Sequence, residues 1–211
     1  MGLDMYFYKM RKAKNKSINE LMEIQDKINY ADNTEKAQKE KERLLKEYKT
    51  FLHNHTYKYL KRIDKKFEYE IGYLRKANAI HNYIIEHFAN GVDECQPIEL
   101  EKEKLKELQK TIKELIYKCK LKKGKWVASY SYNKNENGEL EKIYNYENGY
   151  ILDKKSQELA SKLLPTCDGF FFGSTDYDQW YYEDLLEFNN ILNELLQTDT
   201  SKYYIYYLAS W

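Results

Sequence analysis

"LDMYFYKM", residues 3–10, carries the first decision about the fold, because Leu3, Met5 and Phe7 alternate with Asp4, Tyr6 and Tyr8. Apolar side chains two positions apart share one face of an extended chain, so the stretch predicts a strand over Leu3–Met10. The far end, "KYYIYYLASW" at residues 202–211, is rich in Tyr and predicts a closing strand. Between the two the period is mostly helical. Strands at both termini with helices between them point to a single α+β domain over residues 1–211, with the first and last strands neighbours in one small sheet.

Working inward, Ser17 with Glu20 forms a capping box that opens a helix bearing Leu21, Ile24 and Ile28. "YADNTE" interrupts it, and a second helix presents Leu44, Leu45, Tyr48, Phe51 and Leu52. Together they make a Lys/Glu-rich helical elaboration over residues 12–66. "TYKYLKRIDKKFEY", residues 56–69, fits either a strand or more helix. "EIGYLRKANAIHNYIIEHFANG", residues 70–91, reads as a helix with Ala77, Ile80, Ile84 and Phe88 on one stripe, closed by Asn90-Gly91. Beyond Pro97 a further helix carries Leu105, Leu108, Ile112, Leu115, Ile116 and Cys119. The period then changes to two alternating aromatic segments around Asn137-Gly138. These predict a β-hairpin insertion over residues 125–151, with Asn148-Gly149 as a further turn. A short helix over Ser156–Leu164 stops at Pro165. After a loop, a helix from about Asp178 turns Trp180, Leu185, Phe188, Leu192 and Leu195 inward.

Of the 211 residues 33% are charged and 42% hydrophobic, and the net charge is +1, so bulk charge argues for no nucleic-acid partner. The distribution is less even. Lys9–Lys66 holds 17 Lys/Arg against 9 Asp/Glu, whereas Leu164–Trp211 holds 8 acids and the single Lys202. Three cysteines, Cys95, Cys119 and Cys167, without a C-x-x-C pair fit a reducing compartment. "MGLDMYFYKM" is no signal peptide, and no apolar run approaches the ~20 residues of a membrane span. The expectation is a cytoplasmic protein of a bacterial cell.

Two strings carry the candidate site. In "GYLRKANAIH", residues 72–81, Gly72 reads as a turn that leads Tyr73, Arg75, Lys76, Asn78 and His81 into the start of a helix. Lys76, Asn78 and His81 then line the rim of the apolar stripe. Free N–H groups at a helix start, with a guanidinium beside them, suit a phosphate or carboxylate. The plainer alternative pairs Arg75 and Lys76 with the acidic C-terminal third. In "CDGFFFGSTDYDQWY", residues 167–181, Gly169 and Gly173 allow a tight excursion. Phe170 and Phe172 face one way and Phe171 the other, which offers Phe171 for stacking on a ligand. Ser174, Thr175, Asp176, Tyr177, Asp178 and Trp180 lead into the next helix. Thr175 with Asp178 resembles a capping box, which accounts for much of the string. The aromatic residues beside it suit a planar base or a protein surface.

Catalytic templates are not matched. His81 with Cys95 or Cys167 lacks a cysteine-nucleophile signature. Asp93 and Glu94, taken with Asp176 or Asp178, lack calcium-loop spacing. "HNH" at residues 53–55 lacks the metal-bound ββα context that its letters suggest, and no Walker, G-x-G-x-x-G or H-E-x-x-H motif is present. No catalytic residue, metal or cofactor is therefore expected.

"GLDMY", "EIGYLRKANAIHNYI", "NGVDEC", "LLPTCDGFFFGSTDYDQWY" and "IYYLASW" resemble a family of small uncharacterised bacteriophage and prophage proteins, over about half of the chain. The resemblance implies an accessory phage product and brings no activity with it. In that setting the leading expectation is a counter-defence protein that inhibits a host immune effector, such as a CRISPR nuclease complex. The basic helices and the Tyr-rich hairpin would be its contacts, with nucleic acid met only indirectly. The alternative is a sponge for a nucleotide-derived immune signal, in which Arg75 and Lys76 grip phosphate while Phe171, Tyr177 or Trp180 stack on the base. A small hydrolase ranks third. The helical arm also suits a homo-oligomer contact.

Overall fold

A computed structural model describes residues 2–12, 16–29, 34–51, 68–169 and 172–211. The first and last strands, β1 (Asp4–Arg11) and β6 (Tyr203–Ser210), pair antiparallel, with Asp4 opposite Ser210 and Arg11 opposite Tyr203. β2 (Glu68–Arg75) and β3 (Ile98–Glu99) complete an antiparallel sheet in the order β2-β1-β6-β3. Two helices, α1 (Ile18–Asn29) and α2 (Glu35–Phe51), follow β1. α3 (Asn78–Phe88) and α4 (Lys102–Lys118) flank β3. Then come a hairpin, β4 (Leu121–Lys134) and β5 (Leu140–Leu152), and the helices α5 (Lys154–Leu163) and α6 (Gln179–Gln197). This is the expected α+β class.

Strand alternation sets the core. Met5 and Phe7 of β1 share a face with Leu74 of β2 and with Ile205, Tyr207 and Ala209 of β6, and all are buried. The stripes of α3, α4 and α6 close over that face in one cluster, with the Phe7 ring 5.2 Å from Phe188. Each such side chain contributes about 1.5–3 kcal/mol of transfer free energy. On the other face Met10 and Tyr206 are buried with Leu21 of α1, and the Tyr204 hydroxyl donates to Lys16 O at 2.9 Å. The Ser17–Glu20 box forms as read, with Ser17 N donating to Glu20 Oε2 at 2.8 Å. Among the described residues no helix is long and apolar enough to cross a membrane.

Four local readings differ from the structure. Residues 70–75 belong to β2, and the helix begins only at Asn78. The chain turns between them at Lys76, which takes a left-handed φ of 61° and donates its N–H to Leu3 O at 2.8 Å. Gly72 makes no turn. It sits mid-strand, where a Cβ would stand 2.5 Å from Ile191 Cγ1, so its role is to admit α6 against the sheet. Asn148-Gly149 is no turn either, because both residues are paired within β5, opposite Lys125 and Gly124. A Cβ on Gly149 would meet the Trp126 ring at 2.9 Å, and the missing side chain lets that indole lie across the strand. The strands of the hairpin extend to Leu121 and Leu152, beyond the expected 125–151. The side chains read on α2, residues 52–67 with "HNH", and Phe170 and Phe171 lie outside what is described.

Candidate functional site

The end of β2, the first turn of α3, the 164–178 loop, the first turn of α6 and the base of the hairpin enclose a cavity of about 330 Å³. Of the residues singled out from sequence, Arg75, Lys76, Asn78, Ser174, Asp176, Asp178 and Trp180 line it. Trp126, Val127 and Ala128 of β4 form a wall that sequence reading missed, and Asp184 lies one helical turn beyond Trp180.

Asn78 holds the loop in place. It is only 3% exposed, so it belongs to the interior and not to a rim. Its Nδ2 donates to Phe172 O at 3.0 Å and to Ser174 O at 2.7 Å, while its Oδ1 accepts from Cys167 N at 3.2 Å. Nearly all of the capacity of one amide is thereby spent on one loop. α3 opens without a side-chain cap at Ala77, but Asn78 N donates to Lys76 O at 2.8 Å and Ile80 N to Ala77 O at 3.1 Å, so most of its first N–H groups are already engaged. Arg75 Nε lies 3.5 Å from Asp4 Oδ1, so its partner is the N-terminal strand and not the acidic C-terminal third. Tyr73 also donates to Asp4 and stands outside the cavity.

Asp178 is the helix cap, in place of the Thr175–Asp178 box. Its Oδ1 accepts from Trp180 N at 2.9 Å and Tyr181 N at 3.1 Å. Its Oδ2 is buried without a hydrogen-bond partner. Burial lifts the Asp178 carboxyl above the ordinary range, against the pull of the two N–H donors. Burial, and then the neighbouring Glu187, Asp178 and Glu183, push Asp184 up to about 7. The Thr175 carbonyl accepts from Thr166 Oγ1 at 3.0 Å. Tyr177 accepts from Thr166 N at 3.3 Å and packs edge-on to Tyr181, so both residues serve the loop's own packing. Trp180 does not face inward: it is 48% exposed, and its ring meets Trp126 at 5.8 Å and 70°. The hairpin base is fixed beside it, with Leu152 N donating to Tyr177 O at 2.9 Å and Tyr150 N to Gln179 Oε1 at 3.2 Å.

His81 lies behind the loop, 1% exposed and outside the cavity lining. Its Nδ1 is 2.7 Å from Tyr207 Oη and its Nε2 3.0 Å from Asp93 Oδ2. Trp211 Nε1 donates to the other Asp93 oxygen at 3.3 Å, and the Phe172 ring stands edge-on to both His81 and Trp211. A neutral ring satisfies all of these bonds: Tyr207 O–H donates to Nδ1, and Nε2–H donates to Asp93. Burial accordingly holds the His81 pKa below its usual value, despite Asp93. Cys167 Sγ donates to Asn78 O at 3.4 Å, and burial, then Asp93, raise the thiol to about 11. A protonated thiol beside a sealed imidazole is a poor nucleophile. With Asp93 engaged by His81 and Trp211, no group of three or more His, Cys, Asp or Glu among the described residues is placed to hold a metal ion.

Fold and cleft together define a mixed α+β protein with a ligand-sized recess at the junction of sheet, loop and hairpin. The chain matches no family model, no curated protein and no solved structure.

Proposed function

We propose that this protein acts by binding and that the cleft takes a nucleotide-like ligand. One observation carries the reading: two cations, two tryptophans and Asp178, whose buried Oδ2 lacks a hydrogen-bond partner, are brought together around one recess. Arg75 and Lys76 suit a phosphate. Trp180 and Trp126 suit a planar ring. Asp178 Oδ2 needs a donor, and the ring N–H and amino group of a guanine-type base supply two. A volume of about 330 Å³ lies within the usual range for small-ligand pockets. In the phage setting implied by the sequence resemblance, such a protein is a sponge for a nucleotide-derived immune signal.

The other reading, direct inhibition of a host immune effector protein such as a CRISPR nuclease complex, draws on the exposed Tyr side chains of the hairpin. It requires that function be lost with the hairpin tip and be indifferent to Arg75.

Two of the three tryptophans flank the cleft, so their fluorescence reports directly on occupancy. Titration with GMP, AMP and a guanine cyclic dinucleotide is expected to quench emission, with GMP ahead of AMP. Trp180→Ala is expected to abolish the response, and Arg75→Ala to weaken it about ten-fold, as for a charged hydrogen bond. Absence of quenching at millimolar nucleotide, or quenching indifferent to both substitutions, would overturn the reading.

A further inference from the structure

The hairpin has two chemically different faces. In β5 the even positions from Leu140 to Leu152 point one way and the odd positions the other. Across the register, Tyr150 stands opposite Lys123, Asn148 opposite Lys125, Tyr146 opposite Val127 and Leu140 opposite Lys134. The irregularity between Val127 and Ser129 keeps this parity, so Tyr132, Tyr144, Tyr146 and Tyr150 share one face with Lys123, Lys125 and Lys134. The two carboxylates within the paired strands, Glu141 and Glu147, both lie on the opposite face. The four Tyr are 46–58% exposed, and the three Lys are exposed.

We propose that this carboxylate-free Tyr/Lys face of the β4–β5 hairpin is a docking surface for single-stranded nucleic acid. A two-stranded ribbon has little stability of its own, and a row of exposed rings along it marks an interaction surface. Same-face positions recur about every 6.5–7 Å along a strand, which spaces the rings as successive platforms for unstacked bases. The Tyr144 and Tyr146 centroids are 6.5 Å apart. Lys123 and Lys125 lie beside Tyr150 on the base side of Tyr146, Tyr144 and Tyr132, and Lys134 lies on their tip side, so phosphates running along the ribbon meet cations at both ends. With the acids segregated to the other face, nothing on this one repels a polyanion. The row of exposed rings at base-stacking intervals favours a single-stranded nucleic acid over an acidic protein, which would be drawn by the Lys alone. None of these four Tyr and three Lys lines the cleft, although Val127, opposite Tyr146, does.

The test is fluorescence anisotropy on the full chain, with labelled oligo-dT of roughly twelve nucleotides, the corresponding duplex and an oligo-Glu peptide as probes. Oligo-dT is expected to bind most tightly. Tyr144→Ala and Tyr146→Ala should each weaken it about ten-fold, as stacking losses do. Joint Lys123→Gln, Lys125→Gln and Lys134→Gln should reduce the slope of log affinity against log salt by about 2, at roughly 0.7 per phosphate contact. The lysine variants change exposed side chains only, so they keep the test valid if a Tyr variant disturbs the ribbon. Arg75→Ala and Trp180→Ala should leave oligo-dT binding unchanged, which separates this result from that of the cleft. No binding at about 50 mM salt overturns the proposal. So does equal binding of duplex with silent Tyr variants, or oligo-Glu binding with the same Tyr dependence, which would mark a surface for an acidic protein.

Discussion

Replacing Asn78 by alanine removes two donors and one acceptor that tie the 164–178 loop to the first turn of α3. A neutral hydrogen bond contributes about 1 kcal/mol net, and a buried group left without a partner costs about 1–3 kcal/mol. Water reaches part of the loop, so the expected loss is about 2–4 kcal/mol. Asn78→Asp keeps the size and the acceptor, but it points a carboxylate at the carbonyls of Phe172 and Ser174, which lie 3.0 and 2.7 Å from Nδ2 in the native chain. At a site 3% exposed, that charge is neither solvated nor paired. Asn78→Asp should therefore be less stable than Asn78→Ala at neutral pH, although alanine is the larger chemical deletion. The introduced carboxyl has its folded pKa raised, so the folded state binds the extra proton. Stability lost above the ordinary carboxylate pKa returns on acidification, and the gap between the two variants narrows towards pH 4. Urea unfolding followed by far-UV circular dichroism at pH 7 and pH 4.5 measures this directly. If Asn78→Asp equals or exceeds Asn78→Ala at pH 7, or if both stay within about 0.5 kcal/mol of the native chain, the amide does not hold the loop.

Gly72→Ala forces a methyl into the Ile191 side chain and should cost about 1–3 kcal/mol in chemical denaturation, with partial rescue by Ile191→Val. Gly149→Ala should push the Trp126 indole off the strand and away from Trp180, visible as altered near-ultraviolet circular dichroism with the far-ultraviolet spectrum retained. Asp184→Asn should stabilise at pH 8 and change little at pH 4. A carboxyl raised to about 7 gives the folded state the tighter hold on a proton, so the native chain loses stability as pH rises from about 4 to 7. The full shift is worth about 4 kcal/mol, and side-chain accessibility reduces the expected gain to about 1–2 kcal/mol. Asp178→Ser should keep the helix cap, hold or raise the melting temperature, and weaken nucleotide quenching of Trp180.

Local signals carried what local physics decides. The alternation of Leu3, Met5 and Phe7 and the Ser17–Glu20 box needed no distant partner to be read. β2 failed for the opposite reason. Residues 70–75 precede the helical stripe of α3 without a break, and the irregularity between Phe7 and Tyr8 spoils their own alternation. Only pairing with β1 makes them a strand, and the absence of a side chain at Gly72 serves α6, which arrives more than a hundred residues later. Asn148-Gly149 has the composition of a tight turn, yet cross-strand pairing overrides the local preference. A signal was available: Gly124 and Gly149 lie at nearly equal distances from the Asn137-Gly138 turn, as cross-strand partners do. Trp126 was missed with them, because its place in the cleft follows from hairpin register and from the bonds that fix the hairpin to α6.

The two strings singled out in the sequence do meet in one cleft, but their residues divide between holding it and lining it. Asn78, Thr175 and Tyr177 spend their polar groups within the loop. His81 is sealed behind it, in a network that a neutral ring satisfies. Asp178 divides within one side chain, since one oxygen caps α6 and the other is buried with nothing to accept from. A serine would cap the helix equally well and bury no charge. Folding alone therefore gives no reason for a carboxylate here, nor for a second one at Asp184, whose pKa Asp178 helps to raise. Strongly perturbed acids in a cleft concentrate where a ligand is received. Asp178 Oδ2 is the one oxygen of this cap without a partner, and it belongs to a residue that lines the recess, so a donor that reaches it from a bound ligand would satisfy it.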